Sequence, residues 1–286
     1  MGKIGIVTDS TAYLDQSWAT ENDIKMVPLK VIFGDEVYRE GIDITHEEFF
    51  RKLKGSSQFP TTSQPSVGEF KEAYEEMAQR YDELISLHIS GGISGTVESA
   101  RSAAQELESR VRIEVIDSRF TSISMYMILK KMVEGLKAGK DLDSLVKTAD
   151  TIIKNMKLYF AVDTLEYLHK GGRIGGAQAF LGSMLKIKPI LFLDGTIDAL
   201  EKARGTQKAI SRILEISAEK LGGRKAEIGI THVADLEAGE SLKAMAAETL
   251  NCDPGQILMN ETGPVIGSHT GPGTVGISFY PSEVLV

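Results

Sequence analysis

The stretch Ile85-Ser86-Leu87-His88-Ile89-Ser90-Gly91-Gly92-Ile93-Ser94-Gly95-Thr96 carries residues arranged for chemistry. Ile85, Leu87 and Ile89 alternate with polar residues as in a buried strand. Two glycines then permit a tight turn, and Ser94 stands where an N-cap would open a helix from Gly95 to Glu108. Such a turn aims main-chain N–H groups, Gly92 among them, and one hydroxyl at a single spot, to which the helix dipole adds positive potential. That spot suits an anion. A plain capped strand-to-helix turn would carry the same residues, so the rest of the chain has to decide.

Other hydroxyls and cations complete the set. Asp9-Ser10-Thr11 follows a strand at Lys3 to Thr8, a strand end of the kind that lines the ligand crevice of open α/β sheets. Thr62 lies in a hydroxyl-rich loop, Pro60 to Ser66, stiffened by two prolines. Lys170 and Arg173 flank Gly171-Gly172 on a tight, exposed turn, Arg204 ends a hairpin, and His269 sits on a loop between short strands. A carboxylate buried beside an apolar cavity needs donors of this kind, because an unpaired buried anion is very costly. On its glycine-flanked turn Arg173 is better placed to meet a phosphate or an acidic partner than to line an apolar tunnel.

Several chemistries are excluded. A P-loop needs Gly-Lys followed by Ser or Thr, but Gly2-Lys3 and Gly139-Lys140 lead to Ile4 and Asp141. A hydrolase elbow needs glycine two residues either side of the serine; around Ser94 those places hold Gly92 and Thr96, half a match. The histidines His46, His88, His169, His232 and His269 have no zinc-type spacing, so no metal is expected, and His232, inside an apolar strand, reads as a satisfied core histidine. With a net charge of -8, nucleic acid is not the expected partner. The single cysteine, Cys252, fits a reducing cytoplasm, and neither a signal peptide nor a transmembrane run is expected.

The elements that position these residues follow from periodicity and caps. At 286 residues two domains are expected, 1–156 and 157–286, both α/β. Strands are predicted at Lys25 to Ile32 and Glu36 to Arg39 around a Gly34-Asp35 hairpin, and at Arg112 to Ile116. Capping boxes at Thr45/Glu48 and Ser66/Glu69 open helices to Lys54 and about Arg80. Ile123 to Leu136 is an apolar helix whose Met125, Met127 and Met132 suit either a core or a pliable pocket, and Asp141 caps a helix to about Met156. Leu158 to Val162 starts the second half, followed by a hairpin about Asp194-Gly195-Thr196 and a helix capped by Thr206 and stopped by Gly222. Glu227 to His232 is a strand and Asp235 to Leu250 a helix, with short strands at Ile257 to Asn260, Val265 to Ser268 and Gly276 to Tyr280.

Taken in order, Val7-Thr8-Asp9-Ser10-Thr11-Ala12, Thr62-Ser63-Gln64-Pro65-Ser66, Gly92-Ile93-Ser94-Gly95-Thr96, Leu165-Glu166-Tyr167-Leu168 with Lys170-Gly171-Gly172-Arg173-Ile174-Gly175, and His269-Thr270-Gly271-Pro272-Gly273 resemble the DegV family, the FakB-type fatty-acid-binding proteins, over residues 3 to 280. The resemblance implies two α/β domains of the DegV type with a long-chain fatty acid between them. It places the carboxyl group on the hydroxyls of Thr62 and Ser94, with His269 and Arg173 nearby. It further implies a carrier without catalytic machinery or cofactor of its own, which presents the acid to a separate ATP-dependent fatty acid kinase for acyl-phosphate formation in phospholipid synthesis. Arg173, Arg204 and Lys170 are the expected contacts for phosphotransfer or for that partner, and transient membrane contact is compatible with such a role. The chain departs from the common pattern at Tyr13, Val97 and Glu98. Two rival readings remain: an acyl hydrolase using Ser94 and His269, and a lipid-sensing regulatory protein.

Overall fold

The computed structural model describes residues 2–56, 58–182 and 187–285. The N-terminal half runs β1 (Ile4–Asp9), α1 (Gln16–Glu21), β2 (Ile24–Val27), β3 (Lys30–Phe33), β4 (Glu36–Arg39), α2 (His46–Gly55), β5 (Thr61–Ser63), α3 (Val67–Met77), β6 (Glu83–His88), α4 (Thr96–Leu107), β7 (Arg112–Asp117), α5 (Ile123–Lys137) and α6 (Leu142–Asn155). Strands β2-β1-β6-β7 form a parallel sheet, which needs helices on its faces, and the near-continuous burial of β1 and β6 reflects that cover. A small antiparallel sheet, β4-β3-β5, stands apart from it.

The C-terminal half runs β8 (Lys157–Ala161), α7 (Glu166–Lys170), β9 (Ile187–Asp194), β10 (Thr196–Arg204), α8 (Thr206–Leu221), β11 (Ala226–His232), α9 (Leu236–Thr249), β12 (Leu258–Glu261), α10 (Pro264–Thr270) and β13 (Val275–Pro281). Its six-stranded sheet has the order β10-β9-β8-β13-β11-β12, antiparallel except for the parallel pair β11 and β12. The fold is thus mixed α/β. Helices α5 and α6 pack against strands of both large sheets, and one hydrophobic core runs through both halves.

Both expected capping boxes are present, each with reciprocal side-chain and main-chain bonds. Several expectations are corrected. The run from Lys25 to Ile32 is not one strand: β2 joins the parallel sheet and β3 the small one, with Pro28 and Leu29 between them. Thr61–Ser63, expected in a loop, forms β5 on the edge of β3. The helix expected to reach about Arg80 ends at Met77. Gly205, at φ 86°, takes the N-cap place ahead of Thr206. Val265 to Ser268 is helical, inside α10, because the other half supplies that helix's cap. Glu40 Oε1 accepts from Val265 N at 2.7 Å, and Tyr13 Oη accepts from Ile266 N at 3.1 Å. These are orphan N–H groups of a first turn, which any helix must have satisfied from outside.

Glu40 is buried and receives three donors: Val265 N, the Tyr13 hydroxyl at 3.0 Å and the Ser10 hydroxyl at 2.6 Å. Burial nevertheless dominates and pushes its carboxyl group up to about 7. A carboxyl group raised from its unfolded value contributes stability that is present in full below about pH 4.5 and is lost as pH rises through about 7. The expected outcome is that the wild-type thermal midpoint falls relative to that of Glu40→Gln between pH 5 and pH 8, by the equivalent of about 2–3 kcal/mol, whatever the buried histidines contribute to both proteins alike. Glu40→Gln keeps an oxygen for Val265 N–H and has no proton to lose in that range. Differential scanning calorimetry across the range checks it, and parallel curves for the two proteins would refute it.

Candidate functional site

Ser94, Thr62, His269 and Arg173 meet at one end of a cavity of about 300 Å³ between the two halves, at the small end of the roughly 300–1,000 Å³ usual for ligand sites. Thr62 comes from β5, His269 from the last turn of α10, Ser94 from the turn before α4, and Arg173 from the glycine turn after α7. The remaining wall is aliphatic over most of its area, with Leu29, Ile89, Ile93, Leu158 and Leu193 and the ring of Phe160 among its residues, and is interrupted by serine and threonine side chains. Ile197 on β10 and Thr231 on β11 bound the lining across the sheet, four strand spacings or roughly 19 Å apart. Between Phe160 and Thr231 the register places Gly276, where an added Cβ would stand 3.0 Å from the Phe160 Cβ and 3.5 Å from the Thr231 methyl. The missing side chain there keeps that part of the sheet face low.

Thr62 Oγ1 and His269 Nε2 are hydrogen-bonded at 2.7 Å, while His269 Nδ1 is buried with no partner among the described residues. Gly171 packs on that nitrogen so closely that a Cβ would lie 2.2 Å away. Burial, reinforced by the Arg173 charge, pulls the His269 imidazole down to about 4, so the ring is neutral at pH 7. Arg173 spends Nε on the Ile93 carbonyl at 3.1 Å and Nη1 on the Gly171 carbonyl at 2.8 Å, leaving donors of its fork free. Among the described residues no carboxylate pairs with it. A neutral ring, two hydroxyls and an uncompensated guanidinium at the mouth of an apolar cavity make a site for an anion with an apolar tail.

The expected residues divide accordingly. Arg173, predicted to face outward, is exposed and yet also forms part of the cavity wall. His269 is helical and not on a loop. Ser94 is one place outside the N-cap, which is Gly95; its Oγ accepts from Thr96 N at 3.3 Å and bonds Thr96 Oγ1 at 2.8 Å. Gly92 N is taken by Ser90 Oγ at 3.2 Å, so that N–H is not aimed at the cavity. The role of Gly92 is close packing, since a Cβ there would lie 2.3 Å from the Gly195 carbonyl oxygen. Lys170 pairs with Glu166 and covers the Phe59 ring, outside the cavity lining. Arg204 is at the open end of the β9–β10 hairpin, roughly 23 Å of strand from Ile197. Met125, Met127 and Met132 belong to the core, away from the cavity wall. His232 is buried and its Nδ1 has no partner among the described residues, so it is not the satisfied core histidine expected. Ser94 and His269 bond to other groups, and among the described residues no acidic side chain meets His269 Nδ1, so these residues do not assemble a serine-histidine-acid constellation. Among the described residues no cluster of three metal-ligating side chains occurs, and no helix is long and apolar enough to cross a membrane.

Sequence reading missed a second arrangement. Asp9, His88, Ser86 and Tyr74 form a chain: Asp9 Oδ2 to His88 Nδ1 at 3.1 Å, His88 Nε2 to Ser86 Oγ at 2.6 Å, and Ser86 Oγ to Tyr74 Oη at 2.9 Å. It has the order of a catalytic triad, but all four side chains are fully buried and none lines the cavity. The alternation His88, Ser86 on one face of β6 was the available signal.

A mixed α/β fold closed around an apolar cavity with a polar, cationic mouth is the class these features define. The chain belongs to the DegV family, whose model, described as an uncharacterised protein family, matches residues 3–282. A DegV domain-containing protein of Halalkalibacterium halodurans is 39% identical over 286 residues, covering 98% of this chain and 99% of its own. Among solved structures, a DegV family protein from Thermus thermophilus, described by its fatty acid binding, matches with a TM-score of 0.91 at 39% identity, over 98% of this chain and 99% of that one. DegV of Bacillus subtilis, described as a fatty acid binding protein, matches with a TM-score of 0.87 at 35% identity, over 99% and 100% of the two chains.

The environment of His269 leads to a direct measurement. Its imidazole signals, followed by NMR in the ligand-free protein, should titrate near pH 4 and stay neutral from about pH 5 upward. A midpoint between 6 and 7 would mean that the ring meets solvent, contrary to its burial.

Proposed function

We propose that this protein is a carrier for a long-chain fatty acid, held with its alkyl chain in the cavity and its carboxylate at the mouth. The observation that carries the reading is the pairing of an apolar chamber with Arg173, a cation with no carboxylate partner among the described residues, at one end. The fatty acid binding described for the related proteins supports it. In this reading His269 donates through Nε2–H to Thr62 Oγ1, which turns the Thr62 proton toward the carboxylate, and Ser94 and Arg173 supply further donors. About 15 methylenes at ~0.8 kcal/mol each offer on the order of 12 kcal/mol before ordering costs, so the head group has only to avoid a penalty.

Residues 1–156 and 157–286 are the two halves that enclose the acid in the cytoplasm. The carrier would present the carboxylate to a separate ATP-dependent fatty acid kinase, for acyl-phosphate formation in phospholipid synthesis. A second recess of about 360 Å³, lined by Gly92, Gly95, Gly172 and Arg173, adjoins the mouth and supports this role, since it leaves room beside the carboxylate for a phosphoryl group.

Native mass spectrometry of the purified protein should find one fatty acid per chain, and solvent extraction should release it. Combining Thr62→Ala with Ser94→Ala should weaken binding by about 2–5 kcal/mol, at ~1–3 kcal/mol per lost donor. Repeated extraction of no acyl chain, together with no uptake of added fatty acid, would defeat the reading.

A further inference from the structure

The cavity has a second polar region, away from its mouth. Ser122 Oγ lies 3.1 Å from Thr231 Oγ1 and 2.6 Å from Thr262 Oγ1, and the two threonine hydroxyls are 2.6 Å apart, so the three close a triangle. Asn260 adds acceptors, its side-chain oxygen to Ser122 and its main-chain oxygen to Thr231, each at 3.3 Å. Three hydroxyls bring three protons and twice as many lone pairs, so the protons are consumed within the cluster while acceptor capacity is left over. All three residues line the cavity.

Thr121 lines it too, and its hydroxyl behaves differently. The residue is only 7% exposed, and Oγ1 has no hydrogen-bond partner among the described residues. A buried hydroxyl without a partner is costly, and a plain hydrocarbon chain lying against it would leave that cost in place. The chamber wall therefore holds, at the consecutive positions Thr121 and Ser122, one unmet donor and the start of a set of spare acceptors, which is the complement of an alcohol and not of a methylene.

We propose that this region is a subsite for an oxygen substituent on the alkyl chain: a ligand hydroxyl accepts from Thr121 Oγ1–H and donates to the Ser122-Thr231-Thr262 triangle. The inference rests on the fatty acid reading of the cavity and narrows it to acids hydroxylated partway along the chain. Thr262 lies just before α10 and His269 in its last turn, roughly 10 Å of helical rise apart, which sets the substituent well away from the carboxylate.

The test uses the full-length delipidated protein and isothermal titration with three probes: octadecanoic acid, 10-hydroxyoctadecanoic acid and 12-hydroxyoctadecanoic acid. At least one hydroxy acid should bind about tenfold tighter than octadecanoic acid, the scale of one buried hydrogen bond satisfied. That ratio should fall to about one in Thr121→Val and persist in Thr121→Ser. Equal wild-type affinities for all three acids would overturn the subsite and leave the fatty acid reading standing, as would a ratio that Thr121→Val does not change. Failure of every acid to bind would overturn both. The wild-type ratio is decisive by itself if Thr121→Val does not fold.

Discussion

A single buried carboxylate holds the N-terminal half in register. Asp9, with no exposed surface, ends β1 and accepts from Thr11 N at 3.0 Å, from the Thr11 hydroxyl at 2.5 Å and from Ile89 N at 2.9 Å, while its other contact is His88. A carboxyl group so placed cannot lose these partners cheaply, because its burial keeps bulk solvent from replacing them. The ends of β1 and β6 are therefore tied together, and Thr8 Oγ1 adds a bond to the Leu87 carbonyl at 2.8 Å. Ser90, the two glycines and Ser94 follow within a few residues of that tie, so the position of the turn at the cavity mouth is fixed by a carboxyl group that lies outside the cavity lining.

The site exists only where the halves meet. Thr62 belongs to β5 and His269 to α10, and the N-terminal end of α10 is held by Glu40 and Tyr13, residues of the opposite half. Beside the mouth, Ser90 Oγ donates to the Gly195 carbonyl at 2.6 Å, Gly195 N donates to the Arg119 carbonyl at 2.9 Å, and Arg119 pairs with Asp194 at 2.8 Å. The close approach at Gly92 lets this hairpin tip seat against main chain. Surface ion pairs are worth little alone, so the backbone contacts carry the registration.

What could be read in the sequence was what is decided locally. The boxes at Thr45/Glu48 and Ser66/Glu69 close within four residues, and the hairpins at Gly34-Asp35 and Asp194-Gly195 depend on turn chemistry alone. The residues of α10 include Val265, Ile266 and Gly267, a poor helix by propensity, and their state is set by caps more than two hundred positions away. Nothing near Pro28 tells which sheet β2 or β3 will join. The hydroxyls of Thr62 and Ser94 were legible as candidates; the unpaired hydroxyl of Thr121 was not, since an unmet hydrogen bond is a property of neighbours and leaves no mark in spacing.

The neutrality of His269 has an electrical consequence for the mouth. With the ring uncharged from about pH 5 upward, the positive charge of the pair is that of the Arg173 guanidinium alone, and His269 adds nothing to it over the whole range in which cells operate. The attraction they exert on an anion is thus a constant of the molecule. Beyond the ionisation of the bound acid itself, the titrating carboxyl of Glu40 gives acidity a mechanical route to the site, since it holds the opposite end of α10 and that short helix is the rod between them.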